Sequence, residues 1–144
     1  MSTYSSNLRI ELITTGTQAG TWGDTTNSNL STVLEAAIAG SVSVTTASAN
    51  EALTYLNGPS STAADNTSVR AILTLNTSAG ANFAVYAPPV SKLYIIKNAS
   101  SYTATIYNST VIGNTTAAGT GVAIPSGKTI AVRSEEHTSE LQSH

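Results

Sequence analysis

Leu8, Ile10 and Leu12 alternate with Arg9 and Glu11, the two-residue period of a half-buried strand. The period then changes. Leu30, Val33, Leu34, Ala37 and Ile38 stand at i, i+3, i+4, i+7 and i+8, which places them on one face of a short amphipathic helix. Gly40 is placed to end that helix. Asp24 is expected as its N-cap, its carboxylate accepting from the first free backbone N–H groups. Between strand and helix, Gly16, Gly20 and Gly23 interrupt any regular element and predict a glycine-rich loop that holds the only Trp, Trp22.

Beyond Gly40 the pattern is that of strands separated by turns. Ser41–Thr45, Ala52–Leu56, Arg70–Asn76, Asn82–Ala87, Lys92–Lys97 and Tyr102–Tyr107 each carry β-branched or alternating apolar positions. Leu93-Tyr94-Ile95-Ile96 shows little alternation, which predicts burial on both faces. Gly121–Ile124 and Lys128–Val132 predict a closing hairpin, with Pro125 second and Gly127 fourth in a type I turn. Residues 60–68 read as a polar loop. No repeat of fixed period is visible. Strands every 8–12 residues or so predict a mainly β protein: an antiparallel β-sandwich or barrel-like module, preceded by the glycine-rich loop and one short N-terminal amphipathic helix. Two parts follow: 1–40 for docking and oligomerisation, and 41–132 as the β-rich module.

The string Asn7-Leu8-Arg9-Ile10-Glu11-Leu12, then Gly16-Thr17-Gln18-Ala19-Gly20-Thr21-Trp22-Gly23, resembles the N-terminal segment of tail-fibre-like structural proteins of tailed bacteriophages. The resemblance extends through Lys92–Asn98 and Ile124–Lys128. It implies a virion component, made in the host cytoplasm and carried in the phage tail. The expected partners are further copies of the chain, with a trimer as the expected form, and other tail proteins. A host surface glycan would be reached through a distal part beyond this chain. No catalytic residue comes with the resemblance.

Composition changes the picture at the C-terminus. Arg133–His144 reads Arg-Ser-Glu-Glu-His-Thr-Ser-Glu-Leu-Gln-Ser-His, which matches the translation of a common sequencing-library adapter residue for residue. Residues 133–144 are therefore expected to be foreign, and the natural chain to be truncated at Val132. Both histidines, His137 and His144, fall there. The formal charge of −2 for the whole chain becomes zero without that segment. Cys is absent, and only 10% of residues are charged. Neither nucleic acid nor an anionic membrane finds an electrostatic handle here. No apolar run approaches the length of a membrane span, and Met1–Asn7 lacks the features of a secretory signal. Ser and Thr make up about three in ten residues, which suits pleated strands and tight turns.

Candidate chemistry is thin. Gly127-Lys128-Thr129 ends like a phosphate-binding loop, but the spacing from Gly121 is wrong and Pro125 removes a donor N–H. Metal binding lacks His and Cys ligands before Arg133, and Asp65-Asn66 is too little for calcium. No cofactor is expected. A glycan hydrolase would have to find two facing carboxylates among Glu11, Asp24, Glu35, Glu51 and Asp65. Asp24 is already explained as a cap, Glu35 as a polar-face residue and Glu11 as a partner for Arg9 or another basic residue. The leading expectation is a non-enzymatic tail-fibre or tail-associated module. Trp22, Leu30, Val33, Leu34 and Ile38 are its docking and oligomerisation residues. A carbohydrate-binding adhesin that itself contacts host glycans is the alternative, with Trp22 as a sugar-stacking residue.

Overall fold

The computed structural model describes residues 3–57 and 66–135, and the backbone of 142–143. A small hairpin of β1 (Thr3–Tyr4) and β2 (Glu11–Leu12) opens the chain. Arg9 adopts a left-handed φ of 60°, so the expected strand shrinks to its last two residues. A helix then runs from Trp22 to Ala39 as α1 (Trp22–Ser28), a π-helical segment (Asn29–Leu34) and α2 (Glu35–Ala39). It begins three residues earlier than expected. Thr21 is the N-cap and makes no side-chain capping bond, so Asp24 is not the cap. Asp24 lies in the first helical turn, where a carboxylate interacts favourably with the helix dipole. Before the helix, Gly16 and Gly20 take left-handed φ values of 87° and 83°, which side-chain-bearing residues rarely adopt.

The body is mainly β, with two mixed sheets. One has the order β11 (Gln142–Ser143), β10 (Thr129–Ser134), β7 (Lys92–Asn98), β5 (Ile72–Thr77), β3 (Ser41–Thr46). The other has the order β4 (Asn50–Ala52), β6 (Phe83–Ala87), β8 (Ala104–Asn108), β9 (Val122–Ile124). The chain crosses between them at almost every step. Consequently β3, β5 and β7 pair parallel in one sheet, and β4, β6 and β8 pair parallel in the other. Parallel neighbours need a crossover, and here each crossover is itself a strand of the facing sheet. The result is a two-sheet winding of three coils. The final strands β9 and β10 turn back antiparallel on β8 and β7.

This corrects the sequence reading in several places. The sheets are mixed rather than antiparallel throughout, and no barrel closes. Most of the turns are arches that carry the chain from one sheet to the other. The segment from Gly121 to Val132, expected as a hairpin, is such an arch, since β9 and β10 pair with different sheets. Its turn runs from Pro125 to Lys128, with Gly127 at φ 78° in the third position. That is the position where a type II turn requires a positive φ. The winding leaves no fixed sequence period because coil length varies. Ser41 sits beside Ile72 and Ile72 beside Ile95, offsets of 31 and then 23 residues. The polar-loop expectation for 60–68 falls largely outside the described residues. Its end is a 3₁₀ turn, Thr67–Val69.

Both sheets contribute to one core. Leu73, Leu75, Tyr94, Ile96 and Val132 face Phe83, Val85, Ala87, Ala104, Ile106 and Ile124 across it. Full burial of each large aliphatic side chain contributes about 1.5–3 kcal/mol. Strand β7 alternates strictly, with Leu93 and Ile95 exposed and Tyr94 and Ile96 fully buried. The expectation of burial on both its faces was therefore wrong. Buried Asn98 holds the arch from β7 to β8. Its Nδ2 donates to Tyr102 O at 2.7 Å and Ile124 O at 2.8 Å, and its Oδ1 accepts from Ser100 N and Oγ at 3.0 and 2.7 Å. Strand β10 continues past Val132, and the Oγ of buried Ser134 donates to Val90 O at 2.6 Å. The boundary expected at Val132 thus falls inside a strand.

Candidate assembly surface

The N-terminal hairpin and helix form a unit with a small core of its own. Val33 and Ala36 pack with Val69, Leu8, Ile10 and Ala37. Asn29 is also buried and fixes the helix against β2 by a two-way clip. Its Nδ2 donates to Glu11 O at 2.8 Å, and its Oδ1 accepts from Glu11 N at 3.0 Å. Gln18 adds a second tie, donating from Nε2 to Glu11 Oε1 at 3.0 Å and accepting from the Thr25 hydroxyl. Gln18 is thus one partner of the Glu11 carboxylate.

The Arg9 guanidinium lies 5.6 Å from the centroid of the Tyr4 ring and 5.8 Å from that of Tyr55, and donates twice to Asn57 Oδ1 at 3.0 and 2.7 Å. The Tyr55 hydroxyl donates to Ser6 O at 2.6 Å. Partial burial pushes the Tyr55 pKa up, against the opposing pull of the Arg9 charge. These contacts latch the hairpin to the segment after β4. At the other end of the unit, Ala71 N donates to Ala36 O and Ile72 N to Gly40 O. Gly40 is pressed so closely that a Cβ there would meet Ala36 O at 2.6 Å.

The five expected docking residues separate across the helix. Val33 is 1% exposed and belongs to the internal core, and Leu34 is half-buried. Trp22, Leu30 and Ile38 are 61%, 52% and 72% exposed. Gln18 and Asn29, rather than the exposed Trp22, supply the hydrogen bonds that tie that region together. The internal face is built from Asn29, Val33 and Ala36, of which only Val33 was expected. A buried Asn and a small Ala give no apolar signal, which is why the periodicity missed them.

The three exposed residues line up with half-buried Leu34. Trp22, Leu30, Leu34 and Ile38 fall on a four-residue spacing. In an α-helix such a row drifts, because four residues overshoot the 3.6-residue turn. A π turn is wider, so four residues fall short of it and the drift reverses. The π segment, with Glu35 N bonded five residues back to Leu30 O, keeps the row on one side. A shallow cavity of about 250 Å³ lies beside it, lined by Ser31, Glu35, Ala36, Ala39, Gly40 and Arg70.

The candidate carboxylates among the described residues lie on several elements. Asp24 and Glu35 are exposed on the helix, and Glu51 Oε2 accepts from Ala47 N at 3.1 Å. Asp65 lies outside the described residues. Among the described residues, no cluster of three or more His, Asp or Glu side chains could hold a metal. Among the aromatics, Tyr86 and Tyr107 stack on each other at 5.1 Å, with Tyr86 buried. Tyr4 and Tyr55 flank Arg9. Trp22 and Tyr102 are exposed on separate elements. Compared with protein-family models, with curated proteins and with solved structures, the chain has no match.

Proposed function

We propose that this chain is a non-enzymatic structural module of a bacteriophage tail, in keeping with its resemblance to tail-fibre-like proteins. In this reading it self-associates through its N-terminal helix and carries the two-sheet body as a rigid spacer. The mechanism is assembly and presentation: no bond is made or broken. The observation that carries the reading is the row of large apolar side chains held out on a helix whose opposite face is already packed, with Ile38 72% exposed. A row of large apolar residues rimmed by Asp24, Glu35, Arg70 and small polar residues is the make-up of an interface core awaiting a partner. The resemblance implies a trimer, and the virion tail as its location.

Size-exclusion chromatography with light scattering tests this. The chain is expected to run as an oligomer. Leu30→Glu with Ile38→Glu is expected to give a monomer of unchanged circular dichroism. Each buried residue of this size contributes about 1.5–3 kcal/mol, so each substitution should weaken association roughly tenfold to a hundredfold. A monomeric wild-type chain at all accessible concentrations would sink the reading.

A further inference from the structure

The two sheets differ in how their outer faces are covered. On the four-stranded sheet, Tyr86 and Ala84 are buried, and Gly121 lies so close to Tyr107 and Thr105 that a Cβ there would meet both below 3.0 Å. That face is closed by its own chain. On the five-stranded sheet, large apolar residues of the outer face are exposed, and among the described residues no element is layered on them. Ile72 and Ile95 are registered partners on β5 and β7, each 38% exposed, and Leu93 beside them is 56% exposed. Ala131 of β10 continues the row across Ile95.

An apolar sheet face is stably covered by a helix layer, yet the chain's own helix cannot supply one. Gly40 alone separates α2 from β3, and the Ala36–Ala71 and Gly40–Ile72 hydrogen bonds fix the helix end beside the strands. The helix of another copy is free of that tether. Its row from Trp22 to Ile38 spans about 24 Å at 1.5 Å per residue, against strands of six or seven residues, about 20–23 Å long. The charges also match. The helix carries Asp24 and Glu35 and no basic residue. Among the described residues on the outer face of β3, β5, β7 and β10 the charged side chains are Lys97 and Arg133; Arg133 bonds Glu135 at 2.6 Å and belongs to the segment expected to be foreign, so Lys97 carries the match.

We infer that the occupant of this face is a second copy of the chain, whose Trp22–Ile38 helix lies across Ile72, Leu93 and Ile95 with its acidic rim toward Lys97. This rests on the self-association proposed above and names the surface that receives the helix. The contact is heterologous: each copy gives a helix and receives one, so copies close into a ring or extend as a filament.

The chain has no cysteine, so single-cysteine variants of the full chain test the contact directly. Ile38→Cys and Ile95→Cys proteins are mixed and oxidised under mild conditions. The mixed disulfide is expected to outweigh either homodimer severalfold. Lys97→Glu in the Ile95→Cys protein should reduce its yield at low salt, and Glu35→Lys in the Ile38→Cys protein should restore it. A predominant Ile38→Cys homodimer would instead mean helix against helix, and would overturn the inference. Oligomers in light scattering without any mixed disulfide would overturn it too, while leaving self-association standing. A monomer throughout would remove both.

Discussion

Lys92 opens β7 with its side chain turned inward, and Lys92→Met isolates the penalty of a buried ammonium. The residue is 9% exposed. Its Nζ donates to Arg70 O at 2.9 Å and Leu93 O at 3.1 Å, and lies 4.3 Å from the centroid of the Tyr94 ring. Burial lowers its pKa from 10.5 to about 8. Between those values the unfolded chain holds a proton that the folded chain has released, so stability rises with pH across that window. Below pH 8 the folded state carries the full penalty of the charge, roughly 3 kcal/mol for a shift of this size. Met preserves most of the packing but leaves two carbonyls without their donor, a loss of about 1–3 kcal/mol. At pH 7 the two opposing effects nearly offset, and the variant should match or slightly exceed the wild type. The pH dependence is the sharper quantity. Relative to wild type, Lys92→Met should lose roughly 3 kcal/mol between pH 7 and pH 10.5, because only the wild type gains as the ammonium deprotonates. Burial raises the pKa of Tyr94 in both chains, so tyrosine ionisation largely cancels in the difference. Urea unfolding of both proteins at half-unit steps from pH 7 to 10.5 measures it. Parallel stability curves would refute the reasoning.

Two further substitutions probe the arch and the joint. Asn98→Leu removes four hydrogen bonds at a fully buried site. It should destabilise by roughly 3 kcal/mol or more in urea unfolding, whereas a change under about 0.5 kcal/mol would show that the arch holds without it. Gly40→Ala drives a Cβ against the Ala36 backbone and should destabilise by about 1–3 kcal/mol. Hydrogen exchange should rise at Ala71 and Ile72, whose N–H groups bond the helix end; unchanged protection there would count against a rigid joint.

Strands were legible wherever one face meets the core. The alternation of Ala104 and Ile106 with Thr103 and Thr105 put the right residues inside, and β3, β5, β6 and β8 lie within two residues of their expected bounds. Pairing was not legible. A turn such as Asn98-Ala99-Ser100-Ser101 looks alike whether the chain returns beside itself or crosses to another sheet, since both need the same polar satisfaction of a tight bend. The choice is made by distant residues, through pairs such as Leu73 with Ile96. On the helix, periodicity located the large apolar residues but not the side that faces inward. That choice belongs to Asn29 and its two bonds to β2, a polar determinant that apolar patterning cannot register.

Those two bonds bear on what the helix is for. Turning the helix about its axis would bring Leu30 and Ile38 toward Leu8, Ile10 and Val69 in place of Asn29, Val33 and Ala36. Burying two such side chains contributes about 3–6 kcal/mol by transfer; losing Val33 from the core costs about 1.5–3 kcal/mol, and the two hydrogen bonds that would break are worth roughly 1–3 kcal/mol net. Within one chain the two orientations are therefore close in energy, and the observed one leaves the larger apolar residues outside. Under the self-association proposed above the balance tips, because the inner face keeps its clip while the outer row loses its contact with water. A polar latch that holds small residues in and large ones out is therefore the arrangement expected of a helix whose final packing partner lies on a different chain.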